Sequence, residues 1–132
     1  PYAKHYIQRR EFEFAMEGGK SSYKPEQIAL FEEFSGVIWL EEDEGNIENI
    51  IHYQLSAGHS KFHQVAWIKE ENQTIFFGGD EAPQLQQMRS RFVAKYDHDG
   101  KRAMELRQRW WDLGKQEKWK FLFYHDIKSP FA

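Results

Sequence analysis

The hydrophobic period of this chain changes once, at Pro83, and that change limits what it can fold into. Before Pro83, apolar residues come in short runs separated by turn-forming stretches: Val37 to Leu40, Ile50 to Leu55, Phe62 to Lys69 and Thr74 to Phe77. Short runs with alternation put one set of side chains on one face of a strand. After Pro83, Leu85, Met88, Phe92 and Tyr96 recur at spacings of three and four, the period of a helix face. Asp97-His98-Asp99-Gly100 interrupts, and Ala103, Leu106, Trp110 and Leu113 resume the stripe, with Gly114 as its C-terminal cap. Lys118 to Tyr124 reads as a closing strand.

Upstream, Phe12, Phe14 and Met16 alternate within His5 to Met16, which predicts a strand. Gly18-Gly19-Lys20-Ser21-Ser22 breaks it, and a helix starts near Pro25, a favoured first helical position. Glu41 to Asn46 reads as a turn. Strands segregated from helices predict an α+β fold, a mainly antiparallel sheet of about five to six strands with helices over about 25–35, 83–96 and 101–113 packed on one face. A chain of 132 residues suits a single domain, residues 1–132, with Trp39, Phe92, Leu106, Trp110 and Phe121 largely buried.

Aromatic residues make up 17% of the chain, enough large apolar area that no covalent staple is needed. The lack of cysteine excludes disulfides, zinc ribbons, iron–sulfur clusters and thiol catalysis. No apolar run approaches the roughly 20 residues of a bilayer span. Pro1-Tyr2-Ala3-Lys4-His5 lacks the apolar core of a signal peptide. These features predict a cytoplasmic protein with no membrane partner.

Charge is uneven. Residues 1–84 carry 7 basic and 15 acidic side chains, whereas residues 85–132 carry 11 and 6. The acidic turn Glu41, Glu42, Asp43 and Glu44 lies in a stretch without a base, and is a candidate surface for a basic partner. It lacks the ligand spacing of a calcium loop. In the basic C-terminal third, Trp111 sits one helical turn from Arg107, where a cation–π contact would place both at an interface. Basic residues interleaved with tryptophan also suit nucleic acid, which ranks below another protein as partner. Self-association stays open.

Gly78-Gly79-Asp80-Glu81 shares its four letters with the nucleotide-cyclising motif of diguanylate cyclases. Here it follows an apolar strand and runs at once into Ala82-Pro83 and a helical pattern, so it reads as a turn with Asp80 capping a helix. His52, His59 and His63 lie within twelve residues on an expected hairpin and are the weak candidates for a metal. A turn centred on Gly58 puts His52 opposite Gln64, and the two outer histidines on opposite faces. A register one residue shorter puts His52 opposite His63, and the apolar pattern favours it, with Ile51, Tyr53, Leu55, Phe62, Ala66 and Ile68 as the core face. No carboxylate clearly completes either set, so no cofactor is called for. With no catalytic set in view, the expected function is a small non-enzymatic binding or regulatory protein acting through protein contacts. The alternatives are a nucleic-acid-binding domain and a His-centred metal-dependent enzyme.

Overall fold

The computed structural model describes residues 3–20 and 22–132. The expectations placed on Pro1, Tyr2 and Ser21 lie outside these residues. Contacts group the chain into two compact units, Pro1–Glu42 and Asp43–Ala132.

In the first unit, strand β1 (His5–Gln8) pairs in parallel with β2 (Val37–Leu40). The strand expected over His5 to Met16 ends at Gln8, and helix α1 (Arg9–Met16) follows. Phe12 and Ala15 are its buried residues, a spacing that fits a helix face as well as Phe12 and Phe14 fit a strand. The Gln8 side chain caps α1 by accepting from the Arg10 backbone N–H at 3.3 Å. The expected helix after Pro25 is two single turns, α2 (Pro25–Ile28) and α3 (Leu30–Glu33). Trp39 is half-buried, packed on the Phe12 ring at 4.8 Å and beneath the Arg9 guanidinium at 4.7 Å.

The second unit is an α+β body with a mainly antiparallel five-stranded sheet, ordered β3 (Glu44–Ile47), β4 (Ile51–Leu55), β5 (Gln64–Glu70), β6 (Gln73–Phe77) and β7 (Lys120–Leu122). Glu44 to Asn46, expected as a turn, belongs to β3, and the four-strand meander is therefore β3 to β6 without Val37 to Leu40. Strands β6 and β7 are parallel, which requires a long crossover. Helices α4 (Leu85–Arg89) and α5 (Gly100–Glu117) lie along it. The helix expected over 83–96 stops at Arg89, and residues 90–99 form an irregular loop. Phe92 and Tyr96 are accordingly 40% and 63% exposed instead of lining a helix face.

The core of this unit lies between α5 and the sheet. Phe76 is its centre, with ring centroids 4.9 Å from Trp110, 5.7 Å from Phe121 and 5.9 Å from Trp119. Trp110 and Phe121 are buried as expected, and Leu106 is half-buried at the core's edge. Val65 and Trp67 pack into this core, so the α5 side of β5 is the face assigned to the opposite side of the hairpin by the sequence pattern. Both faces of β4 and β5 carry apolar side chains, which removes the contrast that such a pattern depends on. Helix α5 runs through Gly114 and ends at Lys118, whose backbone is left-handed (φ 57°). Gly114 serves packing: a Cβ there would stand 2.3 Å from the Phe121 ring.

Truncating Phe76 to alanine is expected to cost about 3–5 kcal/mol, the range for an aromatic ring removed from a packed core. Urea denaturation measures it, and a loss below about 1 kcal/mol would show that Phe76 is not the centre of the core.

Candidate metal centre

Strands β4, β6 and β7 run in the same direction, because β5 is antiparallel to both β4 and β6 while β7 is parallel to β6. Their C-terminal ends therefore lie along one edge of the sheet. The segments that leave those ends are the 56–63 loop, the Gly79–Glu81 3-10 turn and the 123–126 segment. They carry His59, Asp80 and His125.

These three side chains meet at Asp80. One carboxylate oxygen, Oδ2, lies 3.7 Å from His59 Nε2, and the other, Oδ1, lies 3.3 Å from His125 Nε2. The Tyr124 hydroxyl donates to Asp80 Oδ1. Burial first, and then this bond to Asp80, raise the phenol's pKa, so Tyr124 stays a donor at neutral pH. On the far side of its ring, His59 Nδ1 is 3.0 Å from Asp97 Oδ1.

Buried polar groups fix the segments that carry this set. Glu81, fully buried, accepts at Oε2 from the Ser56 hydroxyl (2.5 Å) and the Gly58 N–H (3.1 Å), joining the 3-10 turn to the 56–63 loop. His63 Nδ1 lies 2.9 Å from Ser56 Oγ and 3.5 Å from Glu81 Oε2. Gly79 is left-handed (φ 53°), and a Cβ on it would come within 3.0 Å of His63 Nε2. Only glycine adopts this conformation there without strain and without displacing the ring. Arg107 is 1% exposed and donates to Glu81 O at 2.7 Å and to Phe92 O at 2.6 Å. Burial lowers its pKa, and the charges of Asp97 and Glu81 oppose that shift.

After His125, Asp126 holds the chain in place. Its Oδ1 accepts from Ser129 N (2.9 Å) and Lys128 N (3.1 Å), and its Oδ2 from Leu85 N (3.1 Å). Leu85 opens α4, so Asp126 does the work at that helix start that was expected of Asp80.

The structure separates the predicted histidines. His52 stands opposite Trp67, in neither of the two expected registers, and its ring stacks on that indole at 6.0 Å. The reason is the length of the connection, because eight residues separate β4 from β5 where a tight turn was expected. His63 supports the Ser56–Glu81 network, and His59 alone of the three reaches Asp80. Arg107 is buried instead of lying at an interface, and Arg89 takes its expected place over the Trp111 ring at 5.3 Å. Trp111 packs against Phe121 at 5.3 Å.

The acidic run 41–44 is exposed, and its backbone is held within each unit while the Glu41 carboxylate forms an ion pair. Glu41 pairs with Arg9 at 2.6 Å, the Glu42 carbonyl accepts from Gln8 Nε2, the Asp43 carbonyl accepts from Leu55 N, and Glu44 pairs with Gln54 in the sheet. Sequence reasoning missed Asp80 as a site residue, and also Asp97 and His125. For Asp80 and His125 the signal was positional, polar chelating residues shortly after the ends of apolar strands, whereas Asp97 lies in the loop after α4 and gave none.

No protein-family model matches the chain, and no curated protein matches its sequence. Solved structures do match in fold. A probable metal-dependent hydrolase from Staphylococcus aureus superposes with a TM-score of 0.81 at 22% identity, over 96% of this chain and 46% of that one. An N-acyl homoserine lactone hydrolase, with product bound at its catalytic metal center, gives 0.72 at 20% identity, over 93% and 47%. A hydrolase in the beta lactamase superfamily gives 0.73 at 20% identity, over 100% and 50%. The chain thus spans about half the length of each. This shared fold overturns the expectation of a non-enzymatic binding or regulatory protein, because the proteins that share it are hydrolases. The candidate ligands lie on three segments far apart in the sequence, so no local motif displayed them. Among the described residues, no helix is long and apolar enough to cross a membrane.

Two outcomes test this description. Arg107→Met is expected to destabilise the fold by roughly 2 kcal/mol or more, since hydrogen bonds from a charged donor contribute about 1.5–3 kcal/mol. A change within about 0.5 kcal/mol on urea denaturation would mark Arg107 as a surface residue. The Asp126 carboxyl lies below its ordinary pKa because the Ser129 N–H, and then those of Leu85 and Lys128, favour its charged form against burial. A depressed folded pKa stabilises above the unfolded pKa and is lost as pH falls through the folded one. Asp126→Asn should therefore lower the melting temperature at pH 7, and the gap should close in acid below about pH 4. A gap that persists unchanged at low pH would rule out the charge as its source.

Proposed function

We propose that this chain contributes His59, Asp80 and His125 to the metal site of a hydrolase. The observation that carries this reading is the two imidazole Nε2 atoms facing the two oxygens of one carboxylate. The donor set fits a zinc-like divalent ion, for which imidazole and carboxylate are normal ligands. Among the described residues no group of three such side chains holds an ion by itself. Together with the half-length match to the hydrolases, this supports a site whose remaining ligands come from polypeptide outside these 132 residues. That polypeptide is the protein partner we assign to the chain.

When bound, such an ion supplies Lewis acidity toward a carbonyl and lowers the pKa of water toward neutrality. The chain's own residues set the geometry. Asp80 offers one oxygen to each histidine's side of the site, Tyr124 steadies that carboxylate, and Asp126 anchors the segment bearing His125. The reaction class we assign is hydrolysis of an ester-type bond. Lactones are the first substrates to try, since one fold neighbour is an N-acyl homoserine lactone hydrolase. A cysteine-free chain is compatible with the reducing cytoplasm, where we place it.

His59, Asp80 and His125 alone form a partial site that should still take up Zn²⁺ weakly, and calorimetric titration of the chain at high Zn²⁺ concentration tests it. Asp80→Ala, His59→Ala and His125→Ala are each expected to weaken binding at least about tenfold, because each removes a direct ligand. Equal affinity in the Asp80→Ala protein and the parent would overturn the assignment.

A further inference from the structure

Asp97 is a buried carboxylate whose position the fold alone does not explain. Its side chain is 3% exposed, and it lies in the irregular 90–99 loop. Its Oδ1 meets His59 Nδ1, while its Oδ2 is buried with no hydrogen-bond partner. Burying a carboxylate with half its bonding capacity unmet is costly. The charge of Arg107, near enough to interact with Asp97, offsets part of that cost.

The backbone around the pair is also fixed. His98 N donates to His59 O at 3.1 Å, and Asp99 N donates to Gly58 O at 2.8 Å. The 90–99 loop and the 56–63 loop are thus laced together directly beside the His59–Asp97 contact. Asp99 then caps α5 by accepting from Arg102 N at 2.9 Å, so the loop cannot slide without disturbing that helix start. Two neighbouring aspartates have separate tasks: Asp99 serves the helix and Asp97 serves the imidazole.

We infer that Asp97 is a positioning residue, which accepts from His59 Nδ1 and so keeps the ring turned with Nε2 toward Asp80. A carboxylate can only accept, so the atom it meets must carry the proton. The same bond fixes the ring's rotation, which leaves Nε2 as the nitrogen that faces Asp80. The inference rests on the metal-site reading for its purpose, but the Asp97 contact to Nδ1 is present without metal.

The experiment uses the whole chain. Long-range ¹H–¹⁵N spectra of the metal-free protein report the His59 tautomer, with His59→Ala supplying the assignment. The expected signature is a protonated Nδ1. A parent protein in which Nδ1 is unprotonated overturns the inference without any variant being needed. In Asp97→Asn, whose amide can also donate, the tautomer should become mixed or reverse. Zn²⁺ affinity should fall about 10–100-fold, the usual effect of losing the partner of a ligating histidine. Unchanged affinity in a variant with unchanged circular dichroism also overturns it. If the parent protein shows a protonated Nδ1 but takes up no Zn²⁺, the metal-site reading fails and the hydrogen-bonding role of Asp97 survives. The two failures are therefore distinct.

Discussion

The site depends on one buried guanidinium. Arg107 rises from the middle of α5 and donates to two backbone carbonyls that belong to different segments, Glu81 in the 3-10 turn and Phe92 in the 90–99 loop. Other contacts hold each segment, Glu81 to the 56–63 loop and Asp99 to the start of α5, but Arg107 bonds both to the middle of the helix. Arginine suits this role because its planar fork reaches two acceptors at once and keeps its charge when buried. The adjacent carboxylates, Glu81 and Asp97, limit the cost of taking that charge out of water. The two loops flanking Asp80 are thus set by one residue that does not touch the candidate metal ligands.

This explains why the fold was more legible than the site. The period change at Pro83 identified an α+β chain because helices and strands bury their faces by different rules, and those rules act locally. Trp110 and Phe121 followed from that pattern directly. Residues 9–16 did not, because Phe12 and Ala15 satisfy a helix face while Phe12, Phe14 and Met16 satisfy a strand. Phe92 and Tyr96 continued the helical spacing past Arg89, yet the chain there is held by Arg107 and by Asp99 rather than by its own period. Tertiary bonds overrode a local signal of moderate strength.

The site was not legible for a different reason. His59, Asp80 and His125 are separated by 21 and 45 residues in the sequence, and their meeting depends on β4, β6 and β7 pointing the same way. Strand direction across a sheet is a property of topology, which no short window of residues encodes. The histidines that were close in sequence, His52 and His63, were separated by the length of the connection between their strands. Arg107 was misplaced for a related reason: a charged residue on a helix shoulder is normally exposed, and only its two carbonyl partners reveal the exception.

The balance of polar and apolar burial also bears on what this half-site can do. One side of the sheet is packed with Phe76, Trp110, Trp119 and Phe121, while the strand ends carry a network of Ser56, Glu81, Arg107 and Asp97 with few apolar neighbours of comparable size. A buried polar network contributes little net stability and tolerates few alternative arrangements. It is a poor way to hold a fold together and a good way to hold side chains at set angles. Some capacity in it is unmet, since Glu81 Oε1, Asp97 Oδ2 and Arg107 Nε lack hydrogen-bond partners. A core under selection for stability alone would replace such groups with hydrocarbon. Gln64 Nε2 and Trp67 Nε1, on β5, are likewise unpartnered, but Glu81, Asp97 and Arg107 belong to the network around the segments that carry His59 and Asp80, and their cost fits the geometry of that candidate site.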